Sequence, residues 1–305
     1  MSWLPNASLE ALKARADFNR YLRDFFAQRS VMEVETPLLS KAAVTDVHLS
    51  PIKAHCLNQP YYLHTSPEYA MKRLLAAGSG DIFQICKVFR DEELGARHNP
   101  EFSMLEYYRL NFDLITLKDE VAQLVGDYLK LQNRIDLTYR QAFELYAQFD
   151  PFTISDPDLL KRVKKYVGDL FLDRDACLDL LMSHQVEPSL PKNALVFISH
   201  YPASQAALAQ TYENENGHFI AQRFELYING LELANGYQEL TDITEQKKRF
   251  QKDSKARKDT RPEDQNFLAA LEHGLPECAG VALGLDRILM LKMQATDIRS
   301  VLCFN

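Results

Sequence analysis

Two glutamates, Glu225 and Glu232, flank an Asn229-Gly230 pair between two runs of alternating residues. Asn-Gly in this setting is a strong signal for a β-hairpin with a two-residue type I′ turn. That turn would set Glu225 opposite Ala234, which predicts that both glutamates lie diagonally on one face, about 7–8 Å apart. Carboxylate oxygens in this arrangement suit Mg²⁺, which proteins commonly hold with one or two carboxylates plus substrate phosphates. A hairpin with a solvated acidic outer face is the alternative.

A third glutamate, Glu239, lies seven residues after Glu232. In a regular strand it would point to the opposite face, because side chains alternate. The Asn235-Gly236 pair between them favours a β-bulge, and bulges often re-aim side chains at functional sites. We therefore predict a bulge there that returns Glu239 to the face of Glu232.

A second set of polar and aromatic residues occupies two predicted strands joined by a polar loop. Arg90 and Glu92 share a face at the end of the first strand. Phe102, Glu106 and Tyr108 share a face of the second, because their spacing is even. Such a surface offers a guanidinium for a phosphate, an aromatic plane for a base and acids for an amine. A surface salt bridge beside core aromatic residues is the alternative.

The segment Gly280–Arg287 leads from an apolar strand into a helix. Its two glycines would let a ligand approach the backbone closely, and Arg287 would supply a fixed positive charge near the start of the helix. Close packing of the strand and the helix is the alternative explanation for the glycines.

Caps and periodicity predict the elements that position these residues. Ser8 can cap a helix over residues 9–28, and Pro67 favours the start of another over 68–77. Further elements are predicted as strands over 81–92, 102–109 and within 219–240, and as helices over 117–131, 245–258 and 263–273. Hairpins outnumber possible βαβ units, so we predict an α+β fold with an antiparallel sheet flanked by helices. We expect one domain, 1–305, with a helical insert at about 150–195.

The composition narrows the functional class. Lys and Arg number 35 against 42 Asp and Glu among 305 residues, a net charge of −7 that argues against a broadly basic nucleic-acid-binding protein. No stretch approaches the roughly 18 apolar residues of a membrane span. The five cysteines are far apart, which favours reduced thiols over a metal site or a disulfide framework. The N-terminal segment lacks the apolar core of a signal peptide, so we expect a cytoplasmic protein with no membrane partner.

Taken together, these segments resemble the three motifs of class II aminoacyl-tRNA synthetases. Val31–Leu38 resembles motif 1, whose proline, here Pro37, lies at the dimer interface in that family. Phe89–Phe102 resembles motif 2, and Gly280–Arg287 resembles motif 3 with its final arginine. Thr65–Glu68 and the three glutamates of the hairpin region resemble the lysyl-tRNA synthetases in particular. The resemblance covers about residues 10–295 in the family's order, and it implies the family's catalytic core and a homodimer.

Two departures from the lysyl enzymes point to a subgroup. Only about 30 residues precede motif 1, which leaves no room for the N-terminal OB domain that reads the anticodon. Ala282 stands where the lysyl enzymes usually have glycine, beside the amino-acid pocket, and the run Tyr201–Gln210 also differs from theirs. These features resemble the truncated paralogues of the lysyl enzymes that attach (R)-β-lysine to a lysine of elongation factor P. The resemblance therefore implies ATP and Mg²⁺ as cofactors, elongation factor P as the acceptor and no anticodon recognition.

The resemblance also implies a role for each matching residue. Arg90 and Arg287 would be the catalytic phosphate clamp, and Glu225 and Glu232 would hold Mg²⁺. The residues implied in ATP binding are Arg90, Glu92, His98, Asn99, Phe102, Glu232, Leu233, Gly284 and Arg287. The residues implied in substrate binding are Ser66, Glu68, Tyr108, Asn235, Tyr237, Glu239 and Ala282.

Two other functions remain open from the sequence. One is a lysyl adenylate former that charges tRNA through its acceptor end alone, against which the acidic net charge counts weakly. The other is a non-catalytic paralogue that binds an amino acid and regulates a partner. Such chains usually lose the motif arginines or the metal carboxylates, and here Arg90, Arg287, Glu225 and Glu232 are all present.

Overall fold

The computed structural model describes residues 3–47, 49–91, 94–168, 170, 172–257 and 261–304. The helices are α1 (Leu9–Ala27), α2 (Glu68–Ala76), α3 (Leu114–Leu129), α4 (Tyr139–Tyr146), α5 (Asp156–Val167), α6 (Arg174–Leu181), α7 (Ile243–Ala256), α8 (Gln265–Gly274) and α9 (Leu285–Lys292). The strands are β1 (Met32–Glu33), β2 (Leu39–Ser40), β3 (Lys53–Cys56), β4 (Gln59–Leu63), β5 (Ile82–Phe89), β6 (Glu101–Leu110), β7 (Arg134–Thr138), β8 (Leu195–Pro202), β9 (Thr211–Glu213), β10 (Phe219–Ile228), β11 (Leu231–Gln238) and β12 (Cys278–Gly284). The predicted helices and the two strands of the motif 2 region are confirmed to within three residues at each end.

The chain divides into two compact units, and the first comprises Met1–Asp113 and Glu239–Asn305. Its main sheet has the order β1-β5-β6-β12, in which β5, β6 and β12 are antiparallel and β1 is parallel to β5. A small antiparallel sheet has the order β2-β4-β3. Helix α2 packs on α8, and α9 packs on β6. The unit therefore packs a helix on β6 and keeps the motif 2 and motif 3 segments on the neighbouring strands β6 and β12.

Helix α1 shows how the local sequence builds this unit. The Ser8 hydroxyl accepts a hydrogen bond from the Ala11 backbone nitrogen at 3.1 Å, which satisfies a helix donor that has no partner within the helix. Phe26 is fully buried on the inner face, stacks on Phe83 with ring centroids 4.4 Å apart, and meets Tyr107 edge-on at 4.9 Å. Offset and edge-to-face aromatic pairs are favoured beyond the area they bury, so these rings fix α1 against β5 and β6.

The second unit is Leu114–Gln238. Its strands follow the order β11-β10-β8-β7, with β9 also paired to β10; β7 is parallel to β8 and the other pairs are antiparallel. The predicted helical segment at about 150–195 contains α5 and α6, and α6 continues into a π-helical turn at Met182–Val186. Buried side chains of these helices and of β8 and β10 form one hydrophobic cluster.

The predicted α+β class is confirmed, because both units contain mostly antiparallel strands flanked by helices. Among the described residues, helices that combine the length and the apolar character needed to cross a membrane are absent.

Candidate active site

Arg90 lies directly after the end of β5, where its backbone nitrogen donates a hydrogen bond to the Pro100 carbonyl oxygen at 2.9 Å. Its guanidinium carbon is 5.1 Å from the centre of the Phe102 ring. Arg90 and Phe102, which both belong to the predicted nucleotide site, therefore lie close together. Arg90 offers a positive charge and Phe102 an aromatic plane. Glu92, which we expected to share a face with Arg90, lies outside the described residues.

Arg287 lies in the first turn of α9, as predicted, and contacts the motif 2 loop. Its Nη2 atom is 2.7 Å from Nε2 of His98, and its Nε atom donates to the Arg97 carbonyl oxygen at 3.3 Å. Asn99, in the same loop, donates from its side-chain amide to the Glu101 carbonyl oxygen at 2.7 Å. The structure thus brings Arg287 and His98 together within one unit, although they are 189 residues apart in the chain.

Asp286, the residue before Arg287, is buried and anchors the start of α9. Its carboxylate accepts a hydrogen bond from the Ser103 backbone nitrogen at 2.7 Å and forms an ion pair with Arg15 of α1. The α9 helix is therefore tied both to β6 and to α1. Sequence analysis did not single out Asp286 or Arg15, since a partner 271 residues away leaves no local signal.

Three buried or half-buried carboxylates and one lysine, Glu68, Glu106, Glu239 and Lys72, form a cluster that we call the acid pocket. The Nζ atom of Lys72 is 2.6 Å from Oε1 of Glu68 and 2.6 Å from Oε2 of Glu239. Lys72 and Glu239 are each 1% exposed, and Glu68 is 18% exposed. The predicted substrate residues Glu68 and Glu239 are therefore neighbours, and a cation that we did not predict lies between them.

Glu106 completes the acid pocket from β6. The Tyr108 hydroxyl donates a hydrogen bond to its Oε1 atom at 2.7 Å, as expected for residues that share a strand face. Burial raises the pKa of Glu106 to about 8, and the charges of Glu68 and Glu239 add to the shift. Burial also raises the pKa of Glu239 to about 7, although the Lys72 ammonium opposes it. Carboxylates in such an environment gain from a bound cation, which is what a substrate amine supplies.

Two predicted residues lie at the edges of this pocket. Ser66 accepts a hydrogen bond from the Glu68 backbone nitrogen at 3.0 Å, and so positions the start of α2. Ala282 is paired with Glu106 across β12 and β6, so its methyl group lies beside that side chain. Lys72 could have been found from the sequence through its spacing of four from Glu68, which places both on one helix face. From the sequence, Glu106 is expected only to share a strand face with Tyr108, and it is not predicted as a substrate residue.

Gly280 keeps open the space that the acid pocket occupies. A Cβ atom at this position would collide with the Tyr108 ring and with the Glu239 carboxylate. Gly280 is therefore closely packed, against Tyr108 of β6 and Glu239 and not against the helix that follows its strand. Gly284 has an ordinary φ of −77° as the N-cap of α9, so its backbone conformation does not require glycine.

Replacing Gly280 with alanine is expected to lower the free energy of unfolding by about 1–3 kcal/mol, as overpacking a filled site does. It should also raise the KM for the amine substrate that the sequence predicts, because Tyr108 and Glu239 must move. Denaturant unfolding and steady-state kinetics test both effects. The control is Gly95→Ala, since a Cβ there meets no atom within 4 Å. Wild-type stability and KM in Gly280→Ala would contradict this account of the pocket.

In the second unit, the hairpin of β10 and β11 turns at Asn229-Gly230 as predicted, and Tyr227 pairs with Glu232. The predicted pairing of Glu225 with Ala234 is wrong, because Glu225 pairs with Asn235. The register shifts at Leu233, which has no partner on β10, so the bulge lies there and not at Asn235-Gly236. An extra residue in one strand inverts the alternation beyond it. Asn235 and Tyr237 consequently share the face of Glu232.

The Glu225 carboxylate is buried among donors on this face. It accepts a hydrogen bond from the Tyr201 hydroxyl at 2.6 Å and others from the Tyr227 hydroxyl and the Arg223 guanidinium. Burial by itself lowers the pKa of Arg223, but the charge of Glu225 outweighs it and raises that pKa well above its usual value. Glu225 therefore already forms an ion pair with Arg223.

The remaining predicted residues of the hairpin are held in the same network. Arg223 donates from Nε to Oδ1 of Asn235 at 3.1 Å, and Asn235 donates to the Tyr237 hydroxyl at 2.8 Å. Glu232 pairs with Tyr227 across the hairpin, and its charge raises the pKa of Tyr227, after burial, Glu225 and Tyr201. Leu233 is buried at the bulge.

The hairpin carboxylates fit Mg²⁺ in one respect and not in another. Among the described residues, groups of three or more His, Cys, Asp or Glu side chains that could hold a metal ion are absent. Two carboxylates are nevertheless sufficient when nucleotide phosphates and water complete the octahedron, which is the usual arrangement for this ion. Glu225 and Glu232 therefore fit a nucleotide-bound Mg²⁺ and do not fit a metal site made of protein ligands alone.

Comparison with known proteins identifies what this chain is similar to. The family model for class II tRNA synthetases (D, K and N) matches residues 2–305. A Salmonella gallinarum protein named elongation factor P–(R)-β-lysine ligase is 46% identical over 318 residues, covering 100% of this chain and 97% of the relative. Proteins of the same name from Salmonella paratyphi B and Pectobacterium carotovorum are 45% and 44% identical, with the same coverage.

Proposed function

Because this chain belongs to the class II tRNA synthetase family of the D, K and N type, we propose that it is an ATP-dependent ligase that activates (R)-β-lysine. The product of the first step is the β-lysyl adenylate, with release of pyrophosphate. The second step transfers the β-lysyl group to a lysine side chain of elongation factor P. Relatives of this name along the full length of the chain support the proposal. The observation that carries it is the acid pocket, a buried excess of carboxylates suited to a diamine.

In the proposed mechanism the acid pocket holds the two ammonium groups of the substrate. Glu68 and Glu239 bind one amine, and Glu106 with Tyr108 binds near the other, because each presents an oxygen to the same buried space. A pocket built to pair with an amine strongly rejects analogues that lack it, since its own carboxylates are then left unpaired. Binding through the amines leaves the substrate carboxylate to react.

At the nucleotide end, Phe102 stacks on adenine, and Arg90, His98 and Arg287 hold the phosphates. An oxygen of the substrate carboxylate attacks the α-phosphorus while the bond from that phosphorus to the pyrophosphate oxygen breaks. In the second step the neutral amine of the acceptor lysine attacks the carbonyl carbon, AMP leaves, and the amine loses a proton. Catalysis is positioning plus electrostatic stabilisation by preorganised charges, with no covalent enzyme intermediate.

Glu225 and Glu232 would hold Mg²⁺ together with ATP. When bound, the ion neutralises phosphate oxygens and helps the pyrophosphate to leave. The protein's own contribution is the network around Glu225, in which Arg223 and two tyrosines hold the carboxylate in one orientation. Asn235 and Tyr237 extend the same polar face, in line with a role near the substrate.

The proposal extends to the assembly and compartment. We propose a homodimer through the motif 1 segment, supported by apolar side chains that are exposed there, at Met32, Leu38 and Leu39. We also propose that the protein works in the cytoplasm, supported by its five cysteines, all of which are free thiols.

The proposed substrate is tested by ATP–pyrophosphate exchange with lysine isomers. We expect (R)-β-lysine to support exchange at least about tenfold faster than L-α-lysine, because the Ala282 methyl group beside Glu106 alters the pocket, and a single methyl group discriminates by roughly this amount. The variant Ala282→Gly should lower the ratio of the exchange rate with (R)-β-lysine to the rate with L-α-lysine. Equal rates in the wild type, or use of α-lysine alone, would contradict the β-lysine assignment.

The acceptor is tested in parallel with labelled substrate. Elongation factor P should become labelled on a lysine, while uncharged tRNA offered under the same conditions should not. Labelling of tRNA in preference to elongation factor P would instead support a tRNA-charging adenylate former.

A further inference from the structure

Lys72 is the cation of the acid pocket, and no step of the proposed reaction uses it. It lies one helical turn after Glu68 on α2, so the two side chains point in the same direction. Its ammonium group reaches one oxygen of Glu68 and one oxygen of Glu239, each at 2.6 Å. On another side it is 5.9 Å from the centre of the Phe267 ring of α8. The Lys72 side chain is 1% exposed, and these contacts hold it in a single position.

This arrangement sets the distance between the two carboxylates. A single ammonium bound to both brings an oxygen of Glu68 and an oxygen of Glu239 onto one nitrogen atom. Without it, two buried like charges would repel each other, and they would separate or take up a proton. Lys72 therefore defines where the remaining oxygens of these two carboxylates can lie.

Lys72 also sets the charge of the pocket. When all three carboxylates are ionised, they and the single ammonium leave two negative charges, which equals the number of ammonium groups on (R)-β-lysine. The titratable groups that face the pocket from the surrounding elements are Glu68, Tyr69 and Lys72 on α2, His64 and Cys86 beside them, Glu106 and Tyr108 on β6, Cys278 on β12, and Glu239. The tyrosines, the cysteines and His64 in this set are neutral at physiological pH. Burial raises the pKa of each tyrosine and each cysteine, and it lowers the pKa of His64.

The carboxylates around Lys72 keep its positive charge. Burial by itself lowers the pKa of Lys72, but the charges of Glu239 and Glu68 outweigh burial and raise that pKa above its usual value. Lys72 is thus charged throughout the working range. Burial raises the pKa of Glu239 to about 7 even with Lys72 opposing it, so removal of Lys72 would raise it further.

We propose that Lys72 is a positioning residue that fixes the spacing of Glu68 and Glu239 and leaves the ionised pocket with the negative charge that balances a diammonium substrate. The inference rests on the proposed function, because it assumes that the acid pocket is where the substrate amines bind. It assigns to Lys72 no contact with the reacting atoms.

The test is ATP–pyrophosphate exchange by Lys72→Met, which keeps most of the length of the side chain and removes the charge. We expect KM for (R)-β-lysine to rise at least about 30-fold, the lower range for truncating one partner of a buried charge pair. The kcat should change less than about threefold, because the lost interaction serves binding of the ground state and the transition state alike.

The pH profile separates this role from a structural one. In the wild type, kcat/KM should rise with pH as Glu239 and Glu106 lose their protons, at pKa values of about 7 and about 8. In Lys72→Met the rising limb should move to higher pH by about one unit, since the lost counter-charge raises the pKa of Glu239. The conservative variant Lys72→Arg keeps the charge and should keep the position of the limb.

The matched control is Lys118→Met. Lys118 lies in the second unit, its side chain is 12% exposed, and its ammonium is 2.6 Å from Asp136. This variant should leave KM and the pH profile unchanged. A wild-type KM and wild-type limb in Lys72→Met would overturn the proposal. If Lys72→Met does not fold, Lys72→Arg is the deciding variant. A shift of about one pH unit in the rising limb of its kcat/KM profile, despite the retained charge, would contradict the proposal. Wild-type protein that shows no exchange with any lysine isomer would instead contradict the proposed function.

Discussion

Replacing Arg90 with alanine is expected to slow ATP–pyrophosphate exchange by about 10³- to 10⁵-fold, the range in which an arginine acts on a transferring phosphoryl group. The reason is the position of Arg90 at the end of β5, with its guanidinium 5.1 Å from the Phe102 ring that is proposed to stack on adenine. A fixed cation there stabilises the charge that develops on the α-phosphate, and it needs no reorganisation during the reaction. Exchange with (R)-β-lysine at saturating ATP measures the loss.

Two further variants show whether the loss comes from the phosphate clamp. Arg90→Lys keeps the charge but not the planar fork of donors, so its rate should lie between those of the wild type and the alanine variant. Arg29→Ala removes an arginine that lies 3.5 Å from the Phe25 ring, outside the site, and should retain wild-type exchange. Exchange within threefold of wild type in Arg90→Ala would remove Arg90 from the mechanism.

Replacing Asp286 with alanine is expected to lower the free energy of unfolding by about 3–5 kcal/mol, the usual cost of removing one partner of a buried ion pair. The variant leaves the Arg15 guanidinium and the Ser103 backbone nitrogen without their acceptor, and the Asp286 side chain is only 2% exposed. Arg287 lies next to it on α9, so exchange activity should fall as well. Denaturant unfolding of the variant beside the wild type gives the difference.

An exposed pair on the same helix as Arg15 provides the control for this prediction. Asp17 contacts Arg20 at 3.2 Å, with both side chains about 70% exposed, and Asp17→Ala should change stability by about 0–1 kcal/mol. If Asp286→Ala lost no more than this control, the anchoring of α9 through Asp286 would be incorrect.

The fold was predictable where the signal is local. The Ser8 cap and the ends of α1 were predicted to within one residue, since a capping hydroxyl acts only on the first turn. The hairpin of residues 53–63 was missed because Leu57 and Asn58 adopt φ values of 50° and 60° at its turn, and leucine is not a residue that predicts such a conformation. The strands β7 and β8 were missed as well.

The sequence predicted which residues belong to the candidate site better than it predicted which of them contact one another. The resemblance to the synthetase motifs named Glu68, Glu239 and Arg287, and the structure brings Glu68 close to Glu239 and Arg287 close to His98. The bulge in β11 was predicted, but two residues too far along the strand, because packing across the strand pair, not the Asn-Gly sequence, determines where the extra residue is accommodated.

By itself, the sequence determined the order of the motifs, the type I′ turn, most helix boundaries and the chemical classes of group available, because each depends on residues within one or two turns of one another. Only the tertiary structure decided that a lysine is buried between two glutamates, that Asp286 pairs with Arg15, and that Gly280 makes room for Tyr108. Those arrangements depend on burial and on partners distant in the chain, and the free energy of a charge changes with its surroundings far more than with its neighbours in sequence.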